Sequence, residues 1–387
     1  MSTHDQNTLS RRHLLRSAAA IPAAAGLLAA AGRFAPSVAR AADPVRYGVS
    51  GPLSGTAAEY GRIWKKGFDL ALEEINGAGG LQGRLIELKY EDSQADPKQS
   101  VPIAQKFVND SSILAELGDF ASPASMAASP IYERGKLVQF GFTNSHPDFT
   151  KGGEYMFSPS ISQIQDATYL AQLAVERAGK KQAVLYRNTD WGKISSDIYV
   201  KELEARGGEA VLVDNYLETE KDFRTLLAKV RDANPESLTL IAYYNDGALI
   251  VQQAKDVGIT VPIVAIGSCY SPQFIELGGD STEGVLLATS FFPTDPRPEV
   301  QTFVTAYKTK YNETPDLFAA GAYDAVKIVA WATEKGGFTR EGIREALDTG
   351  VDIPSIIHGP FTFNDERRVD EVKEVAIKVE GGQFVLA

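Results

Sequence analysis

The stretch from Val45 to Gly83 constrains the fold more than any other part of this chain. Val45, Tyr47 and Val49 alternate with their neighbours as the buried face of a strand does. Gly51-Pro52-Leu53-Ser54-Gly55 is a turn. A helical run follows, with apolar residues at Ile63, Phe68, Leu70, Leu72 and Ile75, and it stops at Asn76-Gly77-Ala78-Gly79-Gly80. Glycine ends helices because it takes a positive φ without steric cost. Leu85-Ile86-Glu87-Leu88 then reads as a second strand. A strand, a helix and a strand in that order make a βαβ unit with a right-handed crossover, which implies parallel strands and an α/β fold.

The alternation continues. Strands are predicted at Val45–Val49, Leu85–Tyr90, Ile113–Leu117, Leu137–Phe142 and Tyr155–Phe157, with helices at Ala57–Asn76, Pro97–Asn109 and Pro123–Arg134. A second cycle begins near Ser162. Its strands are Ala183–Tyr186, Ala210–Asp214, Leu238–Ala242, Pro262–Ile266 and Gly284–Thr289; its helices are Asp166–Ala178, Trp191–Arg206, Asp222–Ala233 and Asp246–Val257. Two such cycles predict two doubly wound parallel sheets, each covered by helices on both faces. A proline-rich segment, Phe291 to Pro298, precedes helices at Glu299–Tyr311, Leu317–Glu334 and Thr339–Asp348. The tail reads as β at Phe361-Thr362-Phe363, Glu374–Val379 and Phe384–Leu386.

The 387 residues suit two lobes better than one. A net charge of -11 argues against a nucleic-acid partner, which needs a basic face. The single cysteine, Cys269, excludes an intrachain disulfide, and a core of this size needs none.

Residues 1–41 read as an export signal. Ser10-Arg11-Arg12-His13-Leu14-Leu15-Arg16 is a twin-arginine-like start, Ala18 to Ala31 is Ala-rich and apolar, and Ala39-Arg40-Ala41 is a small-x-small cleavage site. Pro22, Gly26 and Gly32 interrupt the apolar run, which falls short of the ~18 residues a membrane span needs. Twin-arginine and Sec export both fit this start. The segment holds five Arg and one Asp, so cleavage near Ala41 leaves a charge of about -15.

The GPLSG turn, the GRIWKKGFDLALEEIN helix and the GGLQGR ending resemble the start of the branched-chain amino-acid binding proteins, the periplasmic receptors that feed ABC importers. Later blocks follow the same order. The resemblance implies a type I periplasmic binding protein (Venus-flytrap) fold whose chain crosses between lobes near 160, 291 and 357. One lobe would then comprise 42–160 plus 292–357, and the other 161–291 plus 358–387. It also implies a periplasmic monomer, with permease subunits of an importer as partners and neither cofactor nor metal.

Open α/β sheets bind ligands at the carboxyl ends of their strands, and receptors of this kind close two lobes around them. In the loop Leu117 to Ala124, Ser122 precedes Pro123, a favoured first helical residue, so Ser122 is expected to cap the helix. By resemblance it also contacts ligand, and a helix N-terminus favours an anion. In Phe142-Thr143-Asn144-Ser145-His146-Pro147 the family's contacts fall on Asn144 and Ser145; turn stabilisation is the plainer role for both. A lone His146 reads as a turn residue. By resemblance Tyr60 and Phe318 wall the cleft, Trp191 closes over the ligand, and Tyr243 helps hold its ammonium. Trp64 and Tyr323 read as packing. Asp246 reads as a helix N-cap and as a candidate ligand contact.

One position departs from the family. Amino-acid receptors carry an acid after the following strand to pair with the ammonium, and here that position is Gly267. A buried ammonium without a carboxylate is strongly disfavoured. Either Asp246 or another acid replaces it, or the ligand is an aromatic acid, a keto acid, an amide or a urea. Cys269 reads as a small buried residue.

No catalytic residues are expected. Only His146 and His358 follow the signal, and no G-x-S-x-G, HExxH, P-loop or zinc-binding cysteine pattern occurs. A ligand sensor is an alternative of another class, and a hydrolase is the remaining one.

Overall fold

The computed structural model describes residues 43–387; the export segment predicted at 1–41 lies outside them. The first sheet is built from β1 (Val45–Gly51), β2 (Ile86–Asp92), β3 (Ile113–Gly118), β4 (Val138–Phe140) and β5 (Met156–Phe157). They lie in the order β2-β1-β3-β4-β5 and are all parallel. Three helices link them: α1 (Ala58–Gly77), α2 (Pro97–Asn109) and α3 (Ser122–Arg134). Helix α1 forms because Tyr60, Ile63, Trp64, Gly67, Phe68 and Ala71 recur on one face, and all are buried. Gly79 and Gly80, both with positive φ, follow its end as expected.

The second sheet repeats the winding. Here α4 (Gln163–Arg177), β6 (Lys181–Arg187), α5 (Asp190–Ala205), β7 (Glu209–Tyr216), α6 (Arg224–Asp232), β8 (Ser237–Ile241), α7 (Tyr244–Asp256), β9 (Ile263–Ala265), α8 (Pro272–Gly278) and β10 (Leu286–Thr289) follow in turn. Strands β6 to β10 are parallel, in the order β7-β6-β8-β9-β10. That is the first sheet's order again.

The chain then returns to the first sheet. Helices α9 (Pro298–Tyr311), α10 (Leu317–Lys335) and α11 (Arg340–Thr349) follow β10. Helix α10 lies on α1 so closely that a Cβ at Gly67 would stand 2.3 Å from the carbonyl oxygen of Ala319. The Tyr47 hydroxyl of β1 reaches Thr333 Oγ1 on α10 at 2.7 Å. The Arg340 guanidinium donates to the carbonyls of Ile113 and Asp110 at 2.9 and 2.7 Å. Last, β11 (Val375–Glu380) and β12 (Gln383–Leu386) extend the second sheet beyond β10. Both pair antiparallel, so this sheet is mixed.

Two local expectations need correction, and one helix is new. Phe361-Thr362-Phe363 is not a strand: only a bridge between Ile353 and Phe361 forms. Its aromatic alternation serves packing instead, with Phe363 edge-on to Phe157 at 5.3 Å between ring centroids. Helix α8 was not foreseen, because seven residues are too few to show a period. Helix α7 begins at Tyr244, two residues before the expected cap Asp246.

A buried acid lies under the first sheet. Glu116 of β3 is fully buried and in no ion pair among the described residues. Burial, aided by the neighbouring Asp119 carboxyl, pushes its pKa well above the ordinary carboxylate range. The folded state therefore holds a proton that the unfolded chain releases, and stability falls as pH rises above the ordinary pKa of ~4.3. Glu116→Gln has no proton to lose. Its melting temperature relative to wild type should climb from pH 5 to pH 8, by up to ~1.4 kcal/mol of stability per pH unit. A difference that stays flat over that range would show that Glu116 is ionised in the fold.

Candidate functional site

The carboxyl ends of the two sheets face one another across a cavity of about 70 Å³. The first lobe supplies Phe120 and Ser122 after β3, Thr143 and Ser145 after β4, and Leu317 and Phe318 at the start of α10. The second supplies Trp191, Tyr243, Gly267, Ser268, Ala288 and Thr289. A second cavity, of about 60 Å³, shares Thr143, Leu317 and Phe318 and runs on towards His358. Burial pushes the His358 pKa down to about 4, which keeps its ring neutral. The enclosed room is far below the ~300–1,000 Å³ of drug-sized sites.

Ser122 is the first residue of α3 rather than its cap: Ala121 occupies the cap position. Freed from capping, the Ser122 hydroxyl makes no cap bond, and the residue is 3% exposed on the cavity wall. It sits at the positive end of the helix dipole, where an anion is favoured. The Thr143 hydroxyl nearby is buried without a partner.

Trp191 lies at the start of α5, whose cap is Thr189. Its Nε1–H donates to Ser145 Oγ at 3.2 Å, which joins the lobes. Tyr243 packs between Trp191 and Phe120, each 5.1 Å away between centroids. Its ring carries the Arg187 guanidinium at 4.6 Å, a cation–π contact.

Three candidates stand outside this wall. Tyr60 is fully buried behind it, with its ring stacked on Phe120 at 3.8 Å. The Tyr60 hydroxyl donates to the Ser268 carbonyl at 2.7 Å and accepts the Tyr244 N–H at 3.2 Å, so it bridges the lobes. Asn144 builds its own loop: its Oδ1 accepts the His146 N–H at 3.1 Å, and its carbonyl accepts from Ser158 Oγ at 2.8 Å. Asp246 turns away from the cavity and pairs with Arg187, which also holds Glu218 at 2.5 Å. Burial raises the Asp246 pKa, and Arg187 opposes the rise.

His146, read from sequence as a turn residue, also joins the lobes. Its Nδ1 accepts the Asp148 N–H at 3.1 Å, which leaves the hydrogen on Nε2 to donate to Asp190 at 3.0 Å. Trp64 packs on Phe142 at 4.5 Å and stays in the core, as expected.

Residues 44–374 match the family model described as periplasmic binding protein. The chain belongs to this family. It is 28% identical over 314 residues to the leucine-, isoleucine-, valine-, threonine- and alanine-binding protein of Pseudomonas aeruginosa, covering 80% of this chain and 84% of that one. The branched-chain amino acid transporter substrate-binding protein of Streptococcus pneumoniae, solved in complex with isoleucine, superposes with a TM-score of 0.83 at 26% identity, over 88% of this chain and 97% of that one. A solute-binding protein of R. palustris in complex with benzoate shares the fold at 19% identity, with a TM-score of 0.81 over 89% and 95%. No helix among the described residues of this periplasmic binding protein is long and apolar enough to cross a membrane.

Gly267 lines the cavity of this binding protein, and a Cβ there would stand 3.0 Å from the Ala288 carbonyl oxygen. Two acids that the sequence did not single out for the site do line it: Asp166, in the first turn of α4, and Glu374, just before β11. The two carboxyls are neighbours whose charges interact. Burial pushes both pKa values up, and the Asp166 charge adds to the rise of Glu374. Neither makes an ion pair among the described residues. Nothing in the sequence joins them. They meet only because β11 returns to pair with β10.

Cys269, beside Gly267, is buried, and its Sγ lies 3.4 Å from the Ala242 carbonyl oxygen. Burial pushes the thiol up, which leaves almost no thiolate at neutral pH. As the only cysteine, it gives a clean readout. A disulfide reagent at pH 8 should leave the folded protein unlabelled and should label one thiol per chain in denaturant. Rapid labelling of the folded protein would show that the cleft floor is open.

Proposed function

We propose that this protein is the extracytoplasmic substrate-binding receptor of an ABC importer, and that it closes its two lobes around a small carboxylate-bearing ligand of the branched-chain amino-acid class. The observation that carries this reading is the cavity itself. It is walled by both lobes at the carboxyl ends of their strands, and the unpartnered Ser122 hydroxyl faces it from the N-terminus of α3. Phe120, Trp191, Tyr243 and Phe318 supply an apolar wall for a side chain. The relatives are binding proteins, and two of them are named for or solved with branched-chain amino acids.

In this reading Ser122 and Ser145 contact the ligand from the first lobe, and Trp191 and Tyr243 from the second. Tyr60, Asn144 and Asp246 act from behind the wall. The lobes hinge near 160, 291 and 357, and membrane permease subunits receive the ligand in the periplasm. The observation that favours a second ligand class is Gly267, which removes the family's acid; an aromatic or keto acid, an amide or a urea needs no such partner.

A melting-temperature screen tests the proposal with leucine, isoleucine, valine, phenylalanine, benzoate, 4-hydroxybenzoate, a keto acid, acetamide and urea. A ligand at a hundredfold excess over its Kd adds ~2.7 kcal/mol to stability. At least one acid of the panel should raise the melting temperature, and no compound should be turned over. Ser122→Ala should weaken that ligand by ~1–3 kcal/mol, the effect of removing a donor from a charged group. A panel without any shift would overturn the receptor reading, and wild-type affinity in Ser122→Ala would take Ser122 off the ligand.

A further inference from the structure

We infer that the Asp166–Glu374 carboxyl pair is the ammonium subsite of the cleft, and that the ligand is therefore an amino acid rather than a plain carboxylic acid. The inference rests on the receptor reading above and names the ligand class of that same cavity.

Gly267 follows β9, and Thr289 ends the neighbouring strand β10. Thr289 pairs with Val375, so Glu374 stands one residue beyond the end of that ladder. Strand β11 is two strands from β9, twice the ~4.8 Å spacing of neighbours, so Glu374 reaches the shared cavity past the end of β10. The acid missing after β9 is replaced on the wall of the same cavity by Glu374, from the start of β11, with Asp166 joining it from α4. A Cβ at Gly267 would make one tight contact, 3.0 Å from the Ala288 carbonyl oxygen.

Charge supplies the second step. Two partly buried carboxyls that face the cavity, with no cation paired to either among the described residues, repel one another unless they hold a proton, which an entering cation can displace to solvent. An ammonium brings a positive charge and three donors. Asp246 cannot serve, because Arg187 holds it outside the wall.

An observation independent of the acids shows that a ligand completes the site. Ser122 is 3% exposed, makes no cap bond and faces the same cavity. The Thr143 hydroxyl is buried and unpaired. Buried hydroxyls are normally hydrogen-bonded, so a hydrogen-bonding group belongs at Thr143, on the wall that it shares with Ser122. A carboxylate on Ser122 and an ammonium on Asp166 and Glu374 together describe a zwitterion.

The test is calorimetric titration of the purified protein, and of its Glu374→Gln and Asp166→Asn variants. The ligands are leucine, isoleucine, valine and phenylalanine, each compared with its own 2-oxo acid. Wild type should bind the best amino acid at least tenfold more tightly than its 2-oxo analogue, and both variants should lose that preference. The readout is the ratio of two affinities within one variant, so a loss of fold, which weakens both ligands, is not mistaken for the effect. Equal binding of amino and oxo acid by wild type, or a preference that survives in both variants, overturns the inference. Binding of benzoate or an oxo acid alone overturns it and leaves the receptor reading standing, whereas a protein that binds nothing in the panel overturns both.

Discussion

The Tyr60 hydroxyl donates to the Ser268 carbonyl at 2.7 Å and accepts the Tyr244 N–H at 3.2 Å, and the closed arrangement of the lobes depends on this junction. Tyr60 belongs to the first helix and its two partners to the second lobe. Its ring packs on Phe120 and meets Tyr243, Tyr244 and Phe318 edge-on. The helix is held in place by the close approach of α1 to α10 at Gly67. A residue directly behind the wall thus touches both sides of the cavity. Other bonds cross with it, among them Trp191 to Ser145, His146 to Asp190 and the Tyr244 hydroxyl to the Thr56 carbonyl. Each such bond contributes only ~0.5–1.5 kcal/mol net, so the junction biases closure weakly and leaves the ligand's own contacts to decide it.

The cleft separates its charges. Arg187 pairs with Asp246 and Glu218 and lies on the Tyr243 face, so it shapes the wall without lining the cavity, although its Nε stays buried without a partner. Ser122 and the dipole of α3 attract an anion from one side. Asp166 and Glu374 attract a cation from another. A cleft with an anion-friendly end and an acidic end selects by charge geometry, and the aromatic wall between selects by size.

Much of this was legible in the chain. The bounds of α2 follow from the Pro97 start and the apolar period, and most strands lie within two or three residues of their alternating apolar runs. The positions Ser122, Ser145, Trp191, Tyr243 and Phe318 come together because each sits at a strand's end or the start of a helix, where the fold class puts ligands. Local signals misplaced other residues. Asp246 has the composition of a cap, but a buried arginine claims it. Tyr60 has helical spacing that cannot tell a wall from its backing. The pairing of Asp166 with Glu374 depends on an antiparallel strand added after three helices of the other lobe, a contact that no local pattern encodes.

Closure around a ligand is what the two-lobed cleft is proposed to do. Small-angle X-ray scattering of the purified protein, alone and saturated with the ligand found in the melting screen, measures it directly. The account predicts a smaller radius of gyration with ligand, together with a scattering curve that matches the closed structure of residues 43–387. An unchanged radius at full occupancy would contradict it, because the ligand would then bind without bringing the Tyr60 junction together.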